Sequence, residues 1–164
     1  MSSDLRLVPL RPVEIAGYID DNTAAYVEEL VEAGMDRDAA RAKAQADHDH
    51  AFPGGVPAEG HHVFALHEDG RVVGRLWLGP AEGDGPGAWW VYDIEVVEAE
   101  RGRGLGRTLM QLAEVEVGDR GGTSLGLNVF GANHAARSLY ESLGYQPTSI
   151  RMRKPIEPPG GEPD

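Results

Sequence analysis

The chain has 164 residues and contains no cysteine. Disulfides, thiolate nucleophiles and cysteine-based metal sites are therefore excluded together. Positive charge is also scarce, since 15 lysines and arginines stand against 27 aspartates and glutamates, for a formal net charge of −12. So acidic a chain is not expected to bind nucleic acid or an anionic membrane surface.

Long apolar runs are missing as well. No segment approaches the ~18 apolar residues of a membrane span, and the opening MSSDLRLVPL lacks the apolar core of a signal peptide. A cytoplasmic location is the resulting expectation. The length suggests one domain, which we expect over residues 5–154, followed by a Pro/Gly-rich disordered tail at residues 155–164.

Apolar periodicity and turn residues predict an alternation of strands and helices. Strands are expected at residues 5–12, 88–97, 123–130 and 148–154, with a hairpin at 61–79 that turns at Asp69-Gly70. Helices are expected at 13–34, 37–52, about 105–119 and 133–144, with Asp36 and Asn133 as caps. This order predicts an α/β (α+β) fold, with a single mixed central sheet and helices on both faces.

The strand at residues 88–97 reads AWWVYDIEVV. Side chains alternate between the two faces of a regular strand. One face would carry Trp90, Tyr92, Ile94 and Val96, and the other would carry Val91, Asp93, Glu95 and Val97.

A glycine-rich turn follows this strand and leads into a helix, in the stretch ERGRGLGRTLM at residues 100–110. Such a turn directs backbone N–H groups at one point, where the helix N-terminus adds positive potential, so it suits an anion. A P-loop would need Gly-Lys-Ser/Thr, which is absent. The dinucleotide fingerprint needs G-x-G-x-x-G, whereas Gly102, Gly104 and Gly106 are spaced G-x-G-x-G on a late strand.

The spacing Arg101-x-x-Gly104-x-Gly106 resembles the acyl-CoA-binding motif of the GNAT superfamily of N-acetyltransferases. VYDIEVVEAERGRGLGRTLM is similar to that family's strand, pyrophosphate turn and helix, and LNVFGANHAARSLYESLGY is similar to its downstream segment. The element order fits over residues 5–154. The resemblance implies the GNAT fold and an acetyl-CoA-dependent N-acetyltransferase, in which a primary amine attacks the thioester directly in a ternary complex.

The resemblance also implies which residues bind acetyl-CoA, the co-substrate. Backbone N–H groups of the turn would hold the pyrophosphate: Arg101, Gly102, Arg103, Gly104, Leu105, Gly106 and Arg107. The pantetheine arm would pair with the backbone of Ile94, Val96 and Val97, between two strands that splay apart, and an N–H near Val96 would polarise the thioester carbonyl. Asn133, Ala136 and Tyr140 would complete the site. Gly126 is compatible with a close approach of the arm, while Arg103 and Arg107 also fit solvated surface charges.

For catalysis, the family pattern makes Tyr140 the proton donor to the leaving thiolate. Three residues remain open as the group that accepts the amine proton: Glu95, Asp93 and Tyr92. Asn128 stands where several relatives carry a glutamate, and an asparagine cannot transfer that proton.

The histidines do not indicate a metal site, because His48 and His50 are two apart and His61 and His62 are adjacent. The resemblance implies that the second helix and the loop after it line the acceptor site. Asp47, Asp49 and Glu59 would make that rim acidic and suited to a cationic amine, either a small molecule or a protein group. The same acidic residues also fit an ordinary solvated face.

Two other functions stay open at this point. A non-catalytic GNAT-fold module that binds acyl-CoA would keep the same turn, and an Arg-Gly nucleic-acid binder would rest only on the letters RGRG. GNAT proteins often dimerise, so a homodimer is an expectation carried by the resemblance.

Overall fold

The computed structural model describes residues 3–160 of the chain. Its helices and strands are β1 Leu5–Pro9, α1 Pro12–Glu32, α2 Arg37–Ala51, β2 His62–Glu68, β3 Arg71–Pro80, β4 Ala88–Val96, α3 Leu105–Asp119, β5 Ser124–Leu127 and α4 His134–Ser142. Single 3-10 turns lie at Pro53–Gly55 and Glu98–Glu100. Within the described residues, no helix is both long enough and apolar enough to cross a membrane.

The five strands form one sheet in the order β1-β2-β3-β4-β5. Neighbours run antiparallel up to β4, and β5 runs parallel to β4, so the predicted single mixed sheet is confirmed. One face packs against α1 and α2 around Ile15, Tyr18 and Trp77. The other face packs against α3 and α4, where Leu109 and Tyr140 contact the largest buried cluster. Helices therefore cover both faces, as expected.

Three local signals act as predicted. The Asp36 carboxylate accepts hydrogen bonds from the backbone N–H groups of residues 38 and 39 at 3.1 and 3.2 Å, which caps α2. Asn133 caps α4 by accepting from the N–H of Ala136 at 3.2 Å. Asp69 and Gly70 both have positive φ, at 49° and 85°, as a tight hairpin turn between β2 and β3 requires.

β4 does not keep the simple alternation that the sequence predicts. Trp77 of β3 pairs with Asp93 and the next β3 residue pairs with Val91, so Tyr92 is an extra residue in a β-bulge. Tyr92 then packs beside Trp77 on the α1 side, where Asp93 also hydrogen-bonds Tyr18. The predicted placement of Tyr92 and Asp93 on opposite faces is therefore wrong. The side chains of β4 that pack on the α3 side are Trp89, Val91, Ile94 and Val96.

The expected last strand at residues 148–154 is also wrong, because no strand follows Leu127 in the part of the chain that the structure describes. Ile150 and Met152 are 73% and 88% exposed, so the segment buries no apolar face. It is held instead by Arg153, whose guanidinium donates to the carbonyl of Gly34 at 3.0 Å. Of the predicted tail, residues 161–164 lie outside the described residues.

Candidate active site

The turn after β4 has an open concave backbone. Gly102 and Gly104 adopt left-handed φ values of 79° and 78°, which glycine accepts without strain. Gly104 is the N-cap of α3 and offers no side-chain cap, so the N–H groups of the first helical turn have no intrahelical partner. A Cβ built on either glycine meets no atom within 4 Å. The geometry leaves both the donors and the space that an anion needs.

Gly106 has a different role from the other two glycines. A Cβ at this position would lie 3.2 Å from Cδ2 of Leu139 on α4. The missing side chain therefore lets α3 approach α4 closely. This packing role is separate from the ligand role that the motif implies, and it depends on a residue 33 positions away in the sequence.

The arginines of the turn bind protein groups. The Arg103 guanidinium donates to both carboxylate oxygens of Glu68, at 2.7 and 3.0 Å. Arg107 donates to the hydroxyl of Ser142 at 2.7 Å, and Nε of Arg101 donates to the carbonyl of Val96 at 3.2 Å. The anion-binding capacity of the turn thus resides mainly in its backbone.

β4 has a free edge next to β5. The two strands pair only as far as Val91 and Leu127, while β4 continues to Val96. The N–H of Val97 donates to Val73 of β3 at 3.0 Å. Because successive residues of a strand present their backbone groups to opposite edges, Val96 directs its N–H and carbonyl toward the free edge. Pairing with β5 therefore ends before Ile94, the part of β4 where the pantetheine arm was expected.

A large cleft of roughly 1470 Å³ lies between α1, the β4–β5 junction, α4 and the C-terminal segment. Glu29, Asn128, Asn133 and Tyr140 all line it. The glycine turn and Val96 do not, so the expected cofactor residues divide between this cleft and the free edge of β4.

Tyr140 is 8% exposed and packs edge-on against the ring of Tyr145, with centroids 6.2 Å apart. Burial raises the pKa of its hydroxyl, and the negative charges of Asp93 and Glu29 raise it further. The phenol is therefore protonated at neutral pH. It is chemically suited to give up a proton to a strongly basic leaving group.

Asp93 has the strongest structural support among the three candidate proton acceptors. Its Oδ2 accepts a 2.8 Å hydrogen bond from the buried hydroxyl of Tyr18. Burial raises the pKa of Asp93, and the bond from Tyr18 opposes that rise. Glu95 is exposed to solvent. The hydroxyl of Tyr92 donates to the carbonyl of Pro80 at 2.6 Å, and burial raises its pKa, so it is protonated and already bonded.

The sequence analysis missed three residues of α1 that face this site. Tyr18 donates to Asp93, and Asn22 lies close enough to lower the pKa of that carboxyl. Asn22 lies 2.7 Å from Nε2 of His48, which places this histidine in the packing of α1 on α2. Glu29 lines the cleft, and its pKa is raised first by burial and then by Asp93. The spacing i, i+4 and i+11 puts all three on one helix face, which was the available signal.

The acidic residues that were expected at the acceptor site do not line the large cleft. Asp47 is bound by Lys43 at 2.8 Å, and Asp49 is bound by Gln45 at 2.8 Å. Neither residue lines the large cleft, and nor does Glu59. The acidic residues that do line it near α1 include Glu29 and Glu32. Over residues 3–160, no three His, Asp or Glu side chains are grouped as metal ligands.

Gly126 of β5 is close to a side chain of the neighbouring strand. A Cβ at this position would lie 2.6 Å from the Trp90 ring. We expect Gly126→Ala to lower the free energy of unfolding by about 1–3 kcal/mol through overpacking, measured by urea denaturation. The control is Gly118→Ala in α3, where a Cβ meets nothing within 4 Å. That change should raise stability by up to about 1 kcal/mol, and equal effects of the two changes would contradict the steric role of Gly126.

Comparison with known proteins gives consistent results. A family model described as "Acetyltransferase (GNAT) family" matches residues 20–145. Among curated proteins, the uncharacterized N-acetyltransferase YycN of Bacillus subtilis is 31% identical over 156 residues, which cover 93% of this chain and 99% of YycN. The uncharacterized N-acetyltransferase YdgE of the same organism is 30% identical over 70% of this chain and 73% of its own.

Solved structures agree with these matches. The crystal structure of YycN has a TM-score of 0.86 at 29% identity, covering 94% of this chain and 100% of that one. The aminoglycoside N-acetyltransferase AAC(6')-Iy, solved in complex with CoA, has a TM-score of 0.60 at 14% identity, covering 95% and 97%. The second likeness is one of fold alone.

Proposed function

Since this chain belongs to the GNAT acetyltransferase family, we propose that it transfers an acetyl group from acetyl-CoA to a primary amine. The observation that carries the proposal is the open glycine turn at the start of α3, which follows the unpaired end of β4. The negative charge of Asp93 on β4 raises the pKa of Tyr140 on α4, although the two side chains lie on opposite faces of the sheet. One has the properties of a base and the other those of an acid.

The proposed reaction is a direct attack within a ternary complex. The neutral amine nitrogen forms a bond to the thioester carbonyl carbon, and Asp93 accepts the amine proton, either directly or through one water. Negative charge develops on the carbonyl oxygen, where the N–H of Val96 would stabilise it. The C–S bond then breaks, and Tyr140 gives its proton to the departing thiolate. The products are an N-acetyl amine and CoA, and the proton returns from Asp93 to Tyr140 through solvent.

Acetyl-CoA would bind in two parts. The N–H groups of residues 101–107 are proposed to hold the pyrophosphate, and the free edge of β4 at Ile94 and Val96 is proposed to pair with the pantetheine arm. The N–H of Val97, which was expected to join them, is already bonded to Val73 of β3. The open space in front of Gly102 and Gly104 supports the first assignment. The early end of the β4–β5 pairing supports the second.

The acceptor is proposed to be a cationic amine, carried by a small molecule or a protein. The large cleft is lined by five carboxylates, Glu29 and Glu32 among them, and by three arginines, which leaves an excess of negative charge that attracts protonated amines. The protonated amine gives one proton to solvent before the attack, and Asp93 accepts the second proton as the C–N bond forms. The homodimer and the cytoplasmic location stay predictions from the sequence.

The function is tested by the release of free CoA thiol. The protein is incubated with acetyl-CoA and a panel of polyamines, aminoglycosides and lysine-containing peptides, and the thiol is detected colorimetrically. We expect saturable release that depends on one class of amine, with the N-acetyl product visible by mass spectrometry. If calorimetry shows CoA binding but no amine in a broad panel releases thiol, the alternative of a non-catalytic acyl-CoA-binding module is supported instead.

A further inference from the structure

Four charged side chains connect the glycine turn to the β2–β3 hairpin. Glu68, the last residue of β2, is 4% exposed and accepts the two-pronged bond from Arg103. Arg103 also donates to Glu100, which lies immediately before the turn. Arg71 of β3 donates to Glu100 at 2.9 Å and lies 3.5 Å from Glu68. Two carboxylates and two guanidiniums thus alternate across the space between hairpin and turn.

The cluster has a feature that a surface ion pair lacks. A buried carboxylate without a partner is strongly unfavourable, and Glu68 has Arg103 as a two-pronged partner. Such a pair restricts both the position and the orientation of the guanidinium. In agreement, Arg103 holds the pKa of Glu68 below its usual value.

The other side-chain bonds of the turn lie at its two ends, where Arg101 donates to the carbonyl of Val96 and Arg107 donates to Ser142. Residues 101–104 are all exposed, and a Cβ at Gly102 or Gly104 would touch nothing. Glycines with positive φ have a wide choice of backbone conformations in the absence of contacts. Arg103 lies between these two glycines, so the side-chain bond to Glu68 acts at the centre of the flexible segment.

We propose that Glu68 is a positioning residue for the CoA pyrophosphate. By holding Arg103, Glu68 keeps the N–H groups of the turn directed at one point before the ligand arrives. The ordering of the turn is then completed during folding, which lowers the entropy cost of binding. The Arg103 side chain bonds Glu68 and does not contact the pyrophosphate. Arg103 contributes to binding by fixing the backbone N–H groups that do. The inference rests on the proposed function only in taking CoA as the ligand.

The test compares ligands with and without a pyrophosphate. For Glu68→Gln we expect the Kd of CoA, measured by calorimetry, to rise by about tenfold, which corresponds to about 1.4 kcal/mol. The kcat/KM for acetyl-CoA should fall by a similar factor through KM. The kcat/KM for S-acetylpantetheine, which has no pyrophosphate, should stay unchanged.

A matched control removes a similar pair elsewhere. Arg37 bonds both oxygens of Glu28, at 2.6 and 3.2 Å, at the start of α2. Glu28→Gln should leave the Kd of CoA and both kcat/KM values at their original level. If Glu68→Gln fails to fold, Arg103→Lys replaces it, because lysine keeps the positive charge but cannot form the two-pronged bond. For this variant too, kcat/KM should fall for acetyl-CoA and stay unchanged for S-acetylpantetheine.

Several outcomes would overturn the inference. One is an unchanged or tighter Kd of CoA in a folded Glu68→Gln protein, and another is an equal loss for both thioesters. A wild-type protein that does not bind CoA at all would overturn it as well. If the wild type binds CoA but transfers no acetyl group, the proposed function fails, and the calorimetric comparison alone decides the role of Glu68.

Discussion

Replacing Tyr140 with phenylalanine is expected to lower kcat by ~10²- to 10⁴-fold, the usual contribution of a positioned acid. The substitution removes only the hydroxyl oxygen, so the packing of the ring against Tyr145 is kept. Because burial and two nearby carboxylates keep the phenol protonated, its loss leaves the thiolate without its proton donor. Steady-state thiol release with saturating acetyl-CoA and amine measures the effect.

Tyr145→Phe is the matched control for this experiment. Tyr145 lies five residues further along the chain, and its hydroxyl donates to Glu114 at 2.9 Å. Its pKa is also raised by burial, but the hydroxyl is already bonded to a protein group. We expect kcat to change less than about threefold. A Tyr140→Phe enzyme with the wild-type kcat would remove Tyr140 from the mechanism.

Asp93→Asn is expected to cause a second large loss of kcat, again by ~10²- to 10⁴-fold. Only the ionised carboxylate can accept a proton, so kcat/KM of the wild type should rise with pH through the pKa of Asp93. That pKa is raised by burial, so this acidic limb should lie above the range of an ordinary aspartate. The variant should lose the limb altogether. The pH profile of kcat/KM between pH 4 and 9, about the range that proteins tolerate, measures both effects.

Two further variants identify which carboxylate produces the acidic limb of the kcat/KM profile. Tyr18→Phe removes the 2.8 Å bond that favours the ionised form of Asp93, so the limb should move to higher pH. Glu95→Gln changes the other carboxylate of β4, which is exposed, and should leave the limb in place. A limb that disappears with Glu95→Gln and persists in Asp93→Asn would reverse the assignment.

The free energy of unfolding gives an independent test of the raised pKa of Asp93. Since its pKa is raised on folding, the folded state favours the protonated carboxyl. This contribution is fully present below the pKa of the unfolded chain and is lost as pH rises through the folded pKa. Asp93→Asn should therefore be at least as stable as the wild type at neutral pH, which separates its loss of rate from unfolding.

Local features of this protein could be predicted well from the sequence. Asp36, the Asp69-Gly70 pair and Asn133 act through their own backbone or that of residues at most three positions away. Such short-range chemistry is visible in a pattern of letters. The glycine turn belongs to the same class, because the positive φ of Gly102 and Gly104 is a local demand.

The features that were missed depend on partners distant in the sequence. The bulge at Tyr92 is defined by how β4 pairs with β3. The alternation of side chains within β4 alone does not reveal which residues of β3 it pairs with. The close contact of Gly126 involves Trp90, and the strongest bond of the turn joins Arg103 to Glu68. In the segment at residues 148–154, apolar and polar residues alternate as in a strand. Its apolar side chains nevertheless stay exposed, because they do not pack against the rest of the fold.

The free edge of β4 also has a consequence for what can enter the protein. An unpaired strand edge usually invites another polypeptide to add to the sheet. Here β5 pairs with β4 only as far as Val91, so the unpaired length of β4 runs from Tyr92 to Val96. That edge is short and contains the bulge at Tyr92, and both features discourage the addition of another strand. The edge is thereby protected from aggregation, while Val96 still directs its N–H outward to a small ligand.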